Sequence, residues 1–232
     1  MNYVFDIDGV LTPHGGVINK SFKKFFLKWM EKKNVSVVSG SQYSRIETVL
    51  GNIVPKLDSV YACSGTRGYK DGELRYSLDV DWPFDLMQHL RFLLLDSDWP
   101  IEHRYGNHIE HRETTINFSI LGRNADQSSR NAYSEWDTKY SERSYICEYI
   151  NNQFENIECQ IGGAISVDIT QKGFGKHLIL DHIKGDITFF GDRCYPGGND
   201  YSLSCALEER GQKVYKVKEW EETRKILETI NG

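Results

Sequence analysis

Short apolar runs that close on glycine or serine, separated by stretches of helical periodicity, govern both ends of this chain and lapse in the middle. The opening run Tyr3-Val4-Phe5-Asp6 leads into Ile7-Asp8-Gly9. Asn19 then stands as a helix N-cap, and Phe22, Phe25, Phe26, Trp29 and Met30 recur at the spacing of one apolar helix face. Val35-Ser36-Val37-Val38 is short and β-branched and closes on Ser39-Gly40-Ser41, which reads as a second buried strand. A helix over 45–50 and a strand over 59–63 continue the β-α-β rhythm, so a parallel sheet is expected. Lys70-Asp71-Gly72-Glu73 predicts a hairpin turn, because Asp-Gly supplies the positive φ angles that such turns require.

From residue 78 the rhythm changes. The pattern predicts a buried helix over 84–95, short strands over 101–104, 108–112 and 114–121, and a long helix over 127–154 whose phase drifts at Ser141. Strands over 157–161 and 164–169 follow, split by Gly162-Gly163. The first rhythm then resumes: a helix over 176–183, a strand over 186–190, helices over 202–209 and 219–230, and a strand over 213–217. The expected fold is therefore α/β, a doubly wound Rossmann-like core with an inserted α+β cap domain. The core takes residues 1–77 and 172–232, and the cap takes 78–171.

A formal net charge of -5 argues against a general nucleic-acid binder, which ordinarily presents a broad basic surface. No run approaches the ~18 apolar residues that span a bilayer, and the chain runs directly into a strand rather than an apolar leader, so a cytoplasmic protein with no membrane association is expected. The five cysteines are odd in number and form no C-x-x-C, which predicts reduced thiols rather than disulfides or zinc. His103, His108 and His111 are spaced too irregularly for a zinc site and read as solvated or structural.

Ligands of open α/β sheets bind beyond the carboxyl ends of the strands. Asp6 and Asp8, Ser39 or Ser41, Lys176, and Asp192 with Asp200 all fall at such ends or at the helix starts beside them. In an extended segment Asp6 and Asp8 point to one side, and like charges so close call for a cation; Mg²⁺ prefers such oxygen ligands. Two acidic clusters, a hydroxyl and a lysine make an inventory for phosphoryl transfer. Asp6 is placed to attack phosphorus, and Asp8 to protonate the leaving oxygen and later to activate the attacking hydroxyl. Mg²⁺ is expected on Asp6, the Asp8 main-chain carbonyl, Asp192 and Asp200. Lys176 and the segment Ser39-Gly40-Ser41 hold the phosphate oxygens.

These residues resemble the motifs of the haloacid dehalogenase superfamily of phosphotransferases. Within it the chain looks most like the eukaryotic-type phosphomannomutases. The signals are Ile120-Leu121-Gly122-Arg123, Arg130 seven residues on, Gly162-Gly163-Ala164-Ile165-Ser166-Val167-Asp168, Lys172-Gly173-Phe174-Gly175-Lys176, and Phe189-Phe190-Gly191-Asp192 through Gly197-Gly198-Asn199-Asp200. The resemblance implies that Arg112, Arg123 and Arg130 bind the distal phosphate of a hexose bisphosphate, and that Ser166 and Asp168 contact phosphate or sugar hydroxyls. Guanidinium groups suit that task because they match phosphate oxygens bidentately and keep their charge. It also implies a sugar-phosphate substrate, a hexose 1,6-bisphosphate activator and a homodimer formed through the cap.

Two positions depart from the family pattern. Val10 stands where a threonine is usual, and Gly15 where the loop after the first motif normally carries an arginine; His14 and Lys20 are the nearby substitutes. The expected activity is interconversion of mannose 6-phosphate and mannose 1-phosphate through an aspartyl-phosphate. A Mg²⁺-dependent sugar-phosphate phosphatase is the alternative that the missing arginine raises, and the intact Asp6, Asp8, Lys176 and Asp192 weigh against a non-catalytic sensor.

Overall fold

The computed structural model describes residues 1–230. Its strands in chain order are β1 (Asn2–Phe5), β2 (Asn34–Val38), β3 (Ser59–Ala62), β4 (Arg67–Lys70), β5 (Glu73–Ser77), β6 (Ile109–Arg112), β7 (Thr115–Phe118), β8 (Ile157–Gly162), β9 (Ser166–Gln171), β10 (Ile187–Gly191) and β11 (Lys213–Lys216). Its α-helices are α1 (Lys20–Trp29), α2 (Tyr43–Leu50), α3 (Leu86–Asp96), α4 (Gln127–Tyr140), α5 (Glu142–Gln153), α6 (Tyr201–Glu209) and α7 (Trp220–Thr229). Contacts divide the chain into two units, Met1–Leu78 with Phe174–Gly232, and Asp79–Gly173. The divisions fall one and two residues beyond the 77/78 and 171/172 boundaries read from the sequence. Among the described residues no helix is long and apolar enough to cross a membrane.

The first unit is a doubly wound α/β sheet in the order β11-β10-β1-β2-β3-β4-β5. Strands β11 to β3 run parallel, and β4 and β5 extend the edge as an antiparallel hairpin. Asp71 and Gly72 turn that hairpin with φ of 54° and 77°, as the Asp-Gly pair predicts. Because the chain goes from β1 toward β2 and β3, and later returns to β10 on the other side, the order reverses beside β1. A crevice at the strands' carboxyl ends is the consequence.

Aromatic rings fix the register there. Phe5 of β1 lies opposite Phe190 of β10 with rings stacked at 4.6 Å, and Phe190 lies opposite Tyr215 of β11 with rings stacked at 4.7 Å. Phe5 also meets the edge of Phe26 on α1 at 5.3 Å. A slip of one residue would turn each of these rings to the other face, so the ladder holds the residues just past it, Asp6 and Asp192, in place. Helix α1 supports this layer: the Asn19 side chain accepts the Ser21 and Phe22 N–H groups, and the helix buries Phe22, Phe26 and Trp29.

The second unit is an antiparallel sheet in the order β6-β7-β9-β8. Period-two alternation gives it two unlike faces. Ile116, Phe118, Val167, Ile169, Ile157 and Cys159 share a core with Leu86, Leu90 and Leu93 of α3, Tyr133 of α4, and Ile146 and Ile150 of α5. The other face carries the cross-strand row Glu110, Asn117, Asp168 and Gln160, and beside it Arg112, Thr115, Thr170 and Glu158.

Several elements differ from the sequence expectation. Residues 101–104 contain a 3₁₀ turn, Ile101–His103, entered from Pro100, and not a strand. The long helix breaks into α4 and α5 at Ser141, which takes a left-handed φ of 56°, and this break is the drift in phase. Phe84 lies outside α3 and is 96% exposed. The expected helix at 176–183 is the tighter 3₁₀ segment Lys176–Asp181.

Candidate active site

Asp6 directly follows β1, and its N–H continues the ladder to Phe190 O at 2.9 Å. Its carboxylate is buried. Lys176, which begins the 3₁₀ segment and is wholly buried, places Nζ 2.6 Å from Asp6 Oδ1 and 2.6 Å from Asp200 Oδ1. Asp200 is committed on both oxygens, since its Oδ2 accepts the N–H groups of Asp192 (3.0 Å) and Arg193 (3.1 Å). It thereby clamps the loop after β10 and Lys176 together. Gly191 makes room for this clamp: a Cβ there would sit 2.8 Å from Asp200 Oδ2.

Asp192 Oδ1 is buried without a hydrogen-bond partner, and Asp192 Oδ2 lies 3.5 Å from His14 Nε2. Carboxylate oxygens of Asp6, Asp192 and Asp200 lie within 4.8 Å of one another. Three acids face Lys176 and, 3.8 Å from Asp192 Oδ2, Arg193 Nε, and one buried Asp192 oxygen has no partner, so the cluster fits a hard divalent cation such as Mg²⁺. The Asp8 side chain stands apart from this group. Its Oδ1 accepts the Gly15 N–H at 2.9 Å, and it is partly exposed. Gly9 has φ of 82°, and a Cβ on it would lie 2.7 Å from Asp192 Oδ2, so the turn after Asp8 passes hard against the acid cluster.

These contacts set the charges. Burial pushes the Asp6 carboxyl well above the ordinary carboxylate range; Lys176 pulls it down, and Asp200 and Asp192 push it up again. Burial, then Asp200, raises Asp192 in the same way. For Lys176 burial alone would lower the value, but Asp200 and Asp6 outweigh it and hold the ammonium above its usual range, so it stays charged.

The expected phosphate-binding segment lies at the end of β2. Ser39 is buried and its Oγ accepts the Ser41 N–H at 3.1 Å, while Gly40 and Ser41 are half-buried. Of the two substitutes for the absent loop arginine, His14 lies beside Asp192, whereas Lys20 lines a groove with Lys23, Lys24 and Lys28.

In the second unit Arg112 and Arg123 meet at Glu110 on the polar face of the sheet, and Arg130 lies on α4. Arg112 donates from Nε to Glu110 Oε2 at 2.8 Å and lies 4.0 Å from Asp168; Arg123 lies 3.6 Å from the same Glu110 oxygen. Burial first, then Arg112, pulls the Arg123 guanidinium below its usual range, and Glu110 partly restores it. Arg130 is used differently: its Nε donates to Ala125 O at 2.9 Å and its Nη2 to Arg123 O at 2.6 Å, so it braces the loop that carries Arg123. Ser166 and Asp168 both accept from Asn117 Nδ2, at 2.9 and 2.6 Å, and Asn117 Oδ1 is buried without a partner. Glu110 and Asn117 are absent from the sequence reading. Glu110 was findable, because it stands two residues before Arg112 on one strand and so must share its face.

A sequence model of the eukaryotic phosphomannomutase family matches residues 22–231. Phosphomannomutase 1 of Dictyostelium discoideum is 31% identical over 240 residues, covering 98% of this chain and 95% of that protein. The phosphomannomutase of Babesia bovis is 34% identical, covering 86% of each. Among solved structures, the IMP-bound IMP-nucleotidase of Plasmodium falciparum aligns with a TM-score of 0.61 at 15% identity, covering 99% of this chain and 68% of that one. The C-terminal domain of C. albicans trehalose-6-phosphate phosphatase aligns with a TM-score of 0.61 at 14% identity, covering 98% of this chain and 89% of that one. At such identities these two structures speak for the fold alone.

Proposed function

Because this chain belongs to the eukaryotic phosphomannomutase family, we propose that it is an enzyme interconverting mannose 6-phosphate and mannose 1-phosphate through a phosphorylated Asp6. The observation that carries this reading is the buried triad in which Lys176 bridges Asp6 and Asp200 at 2.6 Å each, beside the unpartnered Asp192 Oδ1.

An Asp6 oxygen attacks phosphorus of a hexose bisphosphate, the bond to the sugar oxygen breaks, and Asp8 delivers a proton to that oxygen. Asp8, now a carboxylate, takes the proton of the other hydroxyl as that oxygen attacks the phosphoaspartate, which regenerates a bisphosphate and frees Asp6. Lys176 keeps Asp6 aligned and offsets charge on the transferring group, and Ser41 with the backbone around Gly40 binds its oxygens. Mg²⁺, held by Asp6, the Asp8 carbonyl and Asp192, would supply electrostatic screening between nucleophile and phosphate. Asp200 serves as the clamp described above, since its oxygens are already engaged. A bisphosphate has two phosphoryl groups, and the chain offers two anion sites, this centre and the cluster of Arg112, Arg123 and Ser166 in the second unit.

The test is phosphorus NMR of the purified protein with Mg²⁺, mannose 1-phosphate and a trace of hexose 1,6-bisphosphate. Isomerised sugar phosphate without inorganic phosphate supports the mutase. Inorganic phosphate appearing at the rate of substrate loss identifies the phosphatase instead.

Replacing Arg123 with methionine separates the two anion sites. Interconversion is expected to fall by roughly 100-fold or more, as for loss of a charged hydrogen bond to phosphate, with hydrolysis of p-nitrophenyl phosphate little changed. Steady-state kinetics on both substrates checks this, and equal losses would remove Arg123 from the distal site.

The raised carboxyls also predict a pH dependence. Asp6 and Asp192 bind protons more tightly folded than unfolded, so metal-free stability falls as pH rises above about 4, where unfolded carboxylates ionise, and on through the raised folded values. Mg²⁺ binds the ionised pair and opposes the loss. The rise in melting temperature on adding Mg²⁺ is therefore expected to be larger at about pH 7.5 than at about pH 5. A rise independent of pH would mean that the metal binds elsewhere.

A further inference from the structure

We infer that Arg45 is a positioning residue for proton transfer, acting on Asp8 through the backbone of Gly15; this rests on the reading of Asp8 as the acid and base. Arg45 is the third residue of α2, a helix anchored in the core by Ile46, Val49 and Leu50. Its Nη2 donates to Gly15 O at 2.9 Å, and Gly15 N–H donates to Asp8 Oδ1 at 2.9 Å. One peptide unit at each side of Gly15 thus links a rigid helix to the side chain that must move the proton. A second tie, Ile18 N–H to Val49 O at 3.1 Å, holds the far end of the same loop on the same helix.

The loop needs such ties. Pro13, His14 and Gly15 are exposed, Gly15 has φ of 69°, and a Cβ added to it would meet nothing within 4 Å. No packing therefore locates Gly15, and its position follows from hydrogen bonds. The consequence for Asp8 is specific. Oδ1 is occupied by an N–H donor, so a proton carried by Asp8 resides on Oδ2, and the hydrogen bond decides which way Oδ2 faces. Without Arg45 the loop gains freedom, and Asp8 spends less time in the orientation that reaches the leaving oxygen.

Leaving-group chemistry tests this. A sugar alkoxide must be protonated to depart, whereas p-nitrophenolate departs without help. Arg45→Met is expected to lower kcat for hexose-phosphate conversion about fivefold to tenfold, the worth of one hydrogen bond, with KM and the rate of the initial p-nitrophenolate burst from p-nitrophenyl phosphate, which reports only the first phosphoryl transfer, changed less than about twofold. Arg45→Lys should recover most of the loss, since a single donor to Gly15 O suffices. In an Asp8→Asn background, Arg45→Met should cost nothing further. A raised KM at constant kcat would make Arg45 a substrate ligand and overturn the proposal, as would equal losses on both substrates or an additive loss in the double variant. Full sugar-phosphate turnover by Asp8→Asn alone would instead remove the acid–base reading, and the role of Arg45 with it.

Discussion

An Asp6→Asn protein is expected to lose on the order of 10³-fold or more in turnover of sugar phosphates, and to unfold at the same temperature or a slightly higher one. The two expectations have one cause. Asparagine matches the shape of aspartate but cannot form the acyl phosphate, so the covalent route closes. Folding, by contrast, gains from the change. Asp6 is buried among Asp192 and Asp200, and burial together with those two acids raises its carboxyl well above the usual range. That rise means that the folded state resists the charge at neutral pH. Asparagine removes the charge, and Lys176 retains Asp200 at 2.6 Å as a partner. Turnover assays alongside thermal unfolding check both halves. Undiminished turnover would assign the nucleophile to another residue, and a large fall in melting temperature would mean that Lys176 depends on both acids.

Lys176→Met should reverse that balance. Methionine is close to lysine in length and fills the fully buried channel, yet it leaves Asp6 and Asp200 facing one another with no cation between them. Breaking a buried ion pair from one side costs about 3–5 kcal/mol, so stability is expected to fall by that order while activity is lost. Combining Lys176→Met with Asp6→Asn should return part of the stability, because only Asp200 then remains unpaired by lysine. Urea unfolding of the two single variants and the double variant measures the coupling. Additive effects would show that the contact between Lys176 and Asp6 carries no net energy.

What could be read from residues alone follows the range of the interaction that sets each feature. Local signals were plain. Asn19 caps α1 through contacts two and three residues away, Asp71-Gly72 turns its hairpin by backbone angles alone, and the drifting phase near Ser141 marks a break made by one left-handed residue. The placement of Asp6, Lys176, Asp192 and Asp200 was legible because strand ends are, and a doubly wound sheet brings parallel strand ends together. What escaped depends on partners distant in sequence. Arg112, Arg123 and Arg130 look equivalent in the sequence, but only folding turns Arg130 onto the carbonyls of Arg123 and Ala125. That Asp200 also holds Lys176 and the N–H groups of Asp192 and Arg193 shows only in the fold. The link from Arg45 to Gly15 spans 30 positions and uses a backbone oxygen, for which no residue pattern exists. The 3₁₀ segments escaped for another reason, since one or two short turns carry too little periodicity to distinguish them from a strand or an α-helix.

Strand β1 lies between β2, which follows it closely in sequence, and β10, which lies beyond the whole second unit. During synthesis the chain therefore emerges with one flank of its central strand uncovered. Phe5 waits for Phe190, and Asp6 for Lys176, until most of the polypeptide has been made. Over that interval an apolar edge is open to other strands, and the contact of Asp6 with Lys176 cannot form. Completion of the sheet and of the acid cluster thus share a single late event, the docking of β10 against β1. Damage to the last third should reach the cell as misfolded protein before it is noticed as missing catalysis.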